Sequence, residues 1–76
     1  MDIEKSVITR AALVYKRDPS ELSLATDIRE ELSSQSIKLI SFVSALEDEF
    51  EIIIEFHEAG ALKTIGDFVN KIKQSI

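Results

Sequence analysis

Cysteine is absent from this 76-residue sequence. That excludes disulfides, a thiolate nucleophile and cysteine-ligated metal, and it leaves the redox compartment unreadable. Only two glycines are present, too few for a glycine-rich phosphate loop. The one histidine, His57, stands beside Glu55 and Glu58 with no partner of a recognisable catalytic kind. It could act as a general base in principle, but a lone histidine between carboxylates reads as a solvated surface residue. The acidic clusters Glu30-Glu31 and Glu47-Asp48-Glu49 are not preset acid/base pairs, because adjacent helical residues point in different directions. Neither spacing nor residue type suggests convergent metal ligands. The pattern is not that of an enzyme. No apolar run reaches the roughly 18 residues that a membrane span needs. The opening MDIEKSVITR is acidic early and lacks the apolar core of a signal peptide. A cytoplasmic chain is expected.

What is present describes one small domain, residues 1–76, with a hydrophobic content of 45% that fits a globular chain. A domain of this size buries only about 60% of the surface its unfolded chain exposes, so its stability is modest. Fourteen Asp and Glu against nine Lys and Arg give a net charge of −5. This argues against nucleic acid, whose phosphates need clustered Lys and Arg. It suits a basic partner surface, and it equally serves the solubility of a small domain.

Periodicity then places the helices. Residues 2–16 form the first, with Ile3, Val7, Ala11, Leu13 and Val14 as its apolar stripe and Asp2 and Glu4 at its positive end. Asp18-Pro19 stops it, because proline disfavours helical geometry in the residue before it. Residues 18–35 are a long connection in which Leu22 and Leu24 pin the chain to the core. A single turn over Asp27–Leu32 is anchored there by Ile28 and Leu32. A connection of this length in a small domain is often functional, and it also serves to cross from one end of a bundle to the other. The second helix runs Ser36–Phe50, with Leu39, Phe42, Val43, Leu46 and Phe50 as core. Ile52-Ile53-Ile54 reads as a buried connection, since no second strand exists to pair with it. A short third helix over His57–Ala61 follows, and then Thr64 caps a last helix carrying Ile65, Phe68, Val69 and Ile72. The expectation is all-α: a small four-helix bundle of three main helices and a short third, with a long connection between the first two.

Ser36 opens the second helix, where backbone N–H groups are unpaired and the dipole is positive. Such a place tolerates a phosphate. On local sequence alone an ordinary N-cap is the commoner reading of such a serine, though Ser33 or Ser34 could also perform that task.

The run Glu31-Leu32-Ser33-Ser34-Gln35-Ser36-Ile37, followed by Phe42-Val43-Ser44-Ala45-Leu46-Glu47-Asp48-Glu49-Phe50, resembles the acyl carrier protein family. In that family an Asp-Ser-Leu motif opens the second helix and an acidic Ala-Leu-Glu-rich segment ending in Phe closes it. Leu62-Lys63-Thr64-Ile65-Gly66-Asp67-Phe68-Val69 resembles the family's approach to the last helix. The resemblance covers nearly the whole chain. It implies a non-enzymatic carrier with 4′-phosphopantetheine esterified to Ser36, donated from coenzyme A by a phosphopantetheinyl transferase. The arm's thiol would hold acyl groups as thioesters and raise their effective concentration at successive active sites. Partners would be enzymes of fatty-acid, lipid or secondary-metabolite synthesis with basic or apolar docking patches. No nucleic acid and no membrane span are implied, and the chain would be a monomer.

The resemblance also implies a docking surface along the second helix: Gln35, Ile37, Lys38, Ile40, Ser41, Ser44, Glu47 and Asp48. Ile37 and Ile40 read either as the edge of the core or as apolar contacts beside Ser36. Departures at five positions bear on partner choice. Gln35 replaces the family's Asp, Ile37 its Leu, and Lys38 and Ser41 stand where acidic residues are common. Glu55 replaces a proline. These point to a specialised carrier outside general fatty-acid synthesis. An aminoacyl or peptidyl carrier, and an unmodified helical interaction module, are the other readings.

Overall fold

The structure is a computed structural model, and it describes residues 2–76. Four α-helices appear in order: α1 Ile3–Tyr15, α2 Ser36–Phe50, α3 Phe56–Ala61 and α4 Ile65–Ser75. The all-α expectation is met, and the described residues contain no strand. The long connection carries a 3₁₀ turn at Pro19–Glu21 and a π-helical turn at Ile28–Leu32.

Local chemistry sets the helix starts. Asp2 accepts the Lys5 N–H at 3.1 Å and so caps α1. Thr64 accepts the Asp67 N–H at 3.1 Å, and the Asp67 carboxylate takes the N–H groups of Lys63 and Thr64 at 3.0 and 3.1 Å. This reciprocal box starts α4 and holds the Asp67 carboxyl below its ordinary range. Both α1 and α2 end on a left-handed residue other than glycine, Lys16 (φ 56°) and Glu51 (φ 54°).

α1 packs against α2 and α4. Val7, Ala11, Phe42, Leu46, Ile65, Phe68 and Ile72 are fully buried between them. At the centre Tyr15 meets Phe42 edge-on with ring centroids 5.9 Å apart, and Phe42 meets Phe68 at 5.1 Å. One aromatic chain thus joins three helices. Ion pairs tie the outside: Arg10 of α1 to Glu49 of α2, and Lys71 of α4 to Glu58 of α3 at 2.6 Å.

Three expectations are corrected. Leu13 is exposed, not part of the stripe. Two helical residues turn the chain by about 200°, so Leu13 lies opposite Ala11, and Tyr15 takes the core place instead. Leu24 is exposed, and the connection is anchored by Leu22, Thr26 and Ile28. Ile53 is exposed while Ile54 is buried, because successive side chains of a non-helical segment point to opposite sides.

The connection is held by backbone pairing to the approach of α4. The Ile28 N–H donates to the Lys63 carbonyl at 2.8 Å, the Ile65 N–H to Thr26 at 3.1 Å and the Gly66 N–H to Leu24 at 2.8 Å. A Cβ on Gly66 would lie 3.0 Å from the Leu24 carbonyl oxygen, so this approach favours glycine.

The Tyr15 hydroxyl is buried with no hydrogen-bond partner among the described residues. Burial pushes its pKa up to about 12, partly opposed by Arg29. The folded state keeps the proton while the unfolded chain ionises, so stability is lost as pH rises from about 10 through about 12. Tyr15→Phe is expected to fold, to gain on the order of 1 kcal/mol by removing an unsatisfied polar group, and to flatten that alkaline loss. Urea unfolding of both proteins across this pH range checks it.

Candidate functional site around the start of the second helix

The start of α2 is built by its neighbours. Ser33 Oγ accepts the Gln35 N–H at 3.1 Å. Gln35 holds the N-cap position in extended geometry, without a side-chain cap bond. Its carbonyl receives the N–H groups of Lys38 and Leu39 at 3.2 and 3.4 Å. Ser36 is therefore the first residue inside the helix, not its cap, and it is exposed. No acidic side chain occupies the first turn of α2. An anion attached at Ser36 would meet the positive end of the helix without a competing carboxylate from that turn.

Beside Ser36 lies a cavity of about 230 Å³. Ile28, Leu39 and Phe56 and Gly60 of α3 line it together with Arg29 and Ser33–Ser36. Arg29 donates from Nη2 to the Gly60 carbonyl at 2.9 Å, joining the π-helical turn to α3. An exposed hydroxyl, a nearby guanidinium and partly apolar walls suit a phosphate ester bearing a flexible chain.

The residues of the expected docking surface divide. Ile37 is 69% exposed and Ile40 is 49% exposed, so neither is core. Gln35, Ser41, Ser44 and Asp48 are exposed with them, and Lys38 is half-buried. Glu47 is half-buried and its Oε2 accepts the Ile54 N–H at 2.8 Å, which fastens the connection after α2. Glu49 pairs with Arg10. Of the Glu47-Asp48-Glu49 cluster, Asp48 alone is exposed. His57 is exposed, with Nδ1 3.4 Å from Glu55 Oε2. No group of three or more candidate metal ligands occurs among the described residues.

Arg29, Phe56 and Gly60 were not singled out by sequence reasoning. The available signal was Phe56 itself, a large aromatic between Glu55 and His57, and it is 60% exposed. The third helix starts at this residue, one earlier than expected.

Residues 5–72 match the family described as "Phosphopantetheine attachment site". The chain is 36% identical over 58 residues to an acyl carrier protein of Phaeodactylum tricornutum, covering 76% of each chain. It is 30% identical over 76 residues to one from Exiguobacterium sibiricum, covering all of this chain and 91% of that protein. It is 37% identical over 59 residues to one from Lactobacillus acidophilus, covering 78% of this chain and 74% of that protein. The chain belongs to the acyl carrier protein family. It is accordingly a non-enzymatic carrier whose cofactor is covalent 4′-phosphopantetheine, and it meets a phosphopantetheinyl transferase and synthase enzymes in general. No helix of the described carrier is long and apolar enough to cross a membrane.

The division of the acidic cluster has a measurable consequence. Removing Glu47 leaves the Ile54 N–H without its carboxylate, so Glu47→Ala is expected to cost about 1–2 kcal/mol. Asp48→Ala is expected to stay within about 0.5 kcal/mol of the parent, as exposed substitutions do. Urea unfolding of the two variants side by side checks the contrast.

Proposed function

We propose that Ser36 is the attachment point and that the arm carries acyl groups as thioesters between partner enzymes. The observation that carries this reading is the exposed Ser36 at an uncapped helix start, opening on a partly apolar cavity. In the transferase complex the Ser36 Oγ attacks the β-phosphorus of coenzyme A. The bond to adenosine 3′,5′-bisphosphate breaks, and the serine proton passes to a base of the transferase. The carrier supplies the nucleophile and its position. Ser36 stands inside the helix and Gln35 holds the N-cap position, so the hydroxyl is not required as the cap.

Docking follows from the outer face of α2. Gln35, Ile37, Lys38, Ile40, Ser41 and Ser44 present two apolar side chains and one cation, with Asp48 further along. Glu47 contributes through the Ile54 N–H that it holds. This face suits partner patches that are apolar with few basic groups, in fatty-acid, lipid or secondary-metabolite synthesis. It supports a specialised carrier rather than one serving general fatty-acid synthesis.

Intact-mass measurement after incubation with coenzyme A and a broad-specificity transferase tests the attachment. A gain of one phosphopantetheinyl group, abolished by Ser36→Ala, is expected. No gain with any transferase would favour an unmodified interaction module.

The docking face is tested by Ile40→Asp. Its side chain is half exposed, so the variant is expected to keep the helical signal and melting behaviour of the parent. Transferase kcat/KM should drop about tenfold, equivalent to about 1.4 kcal/mol of lost contact. Unfolding of the variant would return Ile40 to the core.

A further inference from the structure

We propose that the Arg29 guanidinium is the counter-ion of the phosphodiester at Ser36 and holds the base of the arm over the cavity between α2 and α3. This rests on the reading of Ser36 as the attachment point.

Arg29 and Ser36 line the same cavity of about 230 Å³. Arg29 is exposed, and its guanidinium is oriented there by the hydrogen bond from Nη2 to the Gly60 carbonyl at 2.9 Å. One bond leaves most of its five N–H donors available. The ion pairs among the described residues are Arg10–Glu49, His57–Glu55 and Lys71–Glu58, and Arg29 belongs to none of them. Asp27 and Glu30 border the neighbouring hollow together with Arg29 and Lys63. The Asp27 carboxylate already accepts the Glu30 N–H at 2.9 Å. What sets Arg29 apart from the other Lys and Arg without an ion pair is that it lines the same cavity as Ser36. A phosphodiester carries one negative charge and two free oxygens, which a planar guanidinium can bridge. The helix start adds its dipole at the same place. Lys38 is the rival cation, on the first turn of α2.

The consequence is directional. The near end of the arm lies toward Arg29, Phe56 and Gly60 rather than along the outer face of α2. The docking residues Ile37 and Ile40 stay uncovered.

The test uses carrier modified at Ser36, confirmed by intact mass, and follows its ³¹P resonance in the parent and in R29Q, R29K and K38Q. Glutamine retains a donor for the Gly60 carbonyl, and the amide spectrum of unmodified R29Q verifies that α3 stays in place. R29Q is expected to shift the ³¹P resonance and narrow its line, with R29K falling between and K38Q matching the parent. Raising the salt to about 1 M, where the screening length is about 3 Å, should move the parent resonance toward that of R29Q. A ³¹P resonance identical in parent and R29Q at low salt would overturn the proposal, as would K38Q reproducing the shift. Failure of modification at Ser36 is a different result, seen in the mass before any spectrum is taken, and it overturns the attachment reading.

Discussion

The structure depends on how a long connection is held without a sheet. Twenty residues separate α1 from α2, and their backbone polar groups need partners wherever water is excluded. The partners come from the approach to α4. Leu24, Thr26 and Ile28 exchange backbone hydrogen bonds with Lys63, Ile65 and Gly66, and Asp27 and Thr64 form an isolated bridge between them. Within this strap Ile28 is driven into the core while its neighbour Arg29 is left outside. The cavity beside Ser36 depends on this strap, since both Ile28 and Arg29 line it. The surroundings of Ser36 are thus placed by contacts in the last third of the chain, not by α2 alone.

Helix periodicity was legible because each long helix packs one face against a single core. The bounds Ser36–Phe50 and the stripe Leu39, Phe42, Val43, Leu46 and Phe50 needed no tertiary knowledge. The Thr64 cap was legible because capping is a local side-chain-to-backbone bond. The strap was not. Backbone-to-backbone pairing leaves no mark on side-chain pattern, except where it crowds a Cβ. Gly66 is that mark, and its meaning appears only once the Leu24 carbonyl lies against it. Leu13 and Ile53 failed for a related reason: apolar composition was read where direction decided, on the wrong side of a helix and on the outer side of an extended segment.

The candidate site was legible in one part. Ser36 could be reached from the helix start and the surrounding run, since both lie in contiguous sequence. Arg29, Phe56 and Gly60 come from separate segments and meet only through packing. The acidic cluster shows the reverse error. Glu47, Asp48 and Glu49 are adjacent in sequence and look like one surface. Helical geometry sends them to different tasks: Glu49 to Arg10, Glu47 to the Ile54 N–H, and Asp48 to solvent. Counting carboxylates along α2 therefore overstates the charge available to a partner.

That division bears on how a carrier with this surface balances binding and release. Charge pairing mainly speeds encounter and is weakened by salt. Here the first turn of α2 offers no carboxylate, and Ile37, Ile40 and Phe56 stand exposed near Ser36. Burying a large aliphatic or aromatic side chain gains about 1.5–3 kcal/mol. Two or three such contacts supply several kcal/mol before the cost of association is subtracted. Contacts of this size do not by themselves commit a carrier to one partner, and a carrier must leave each enzyme with its cargo. A partner selected this way would be recognised by the fit of a small apolar patch around Ser36.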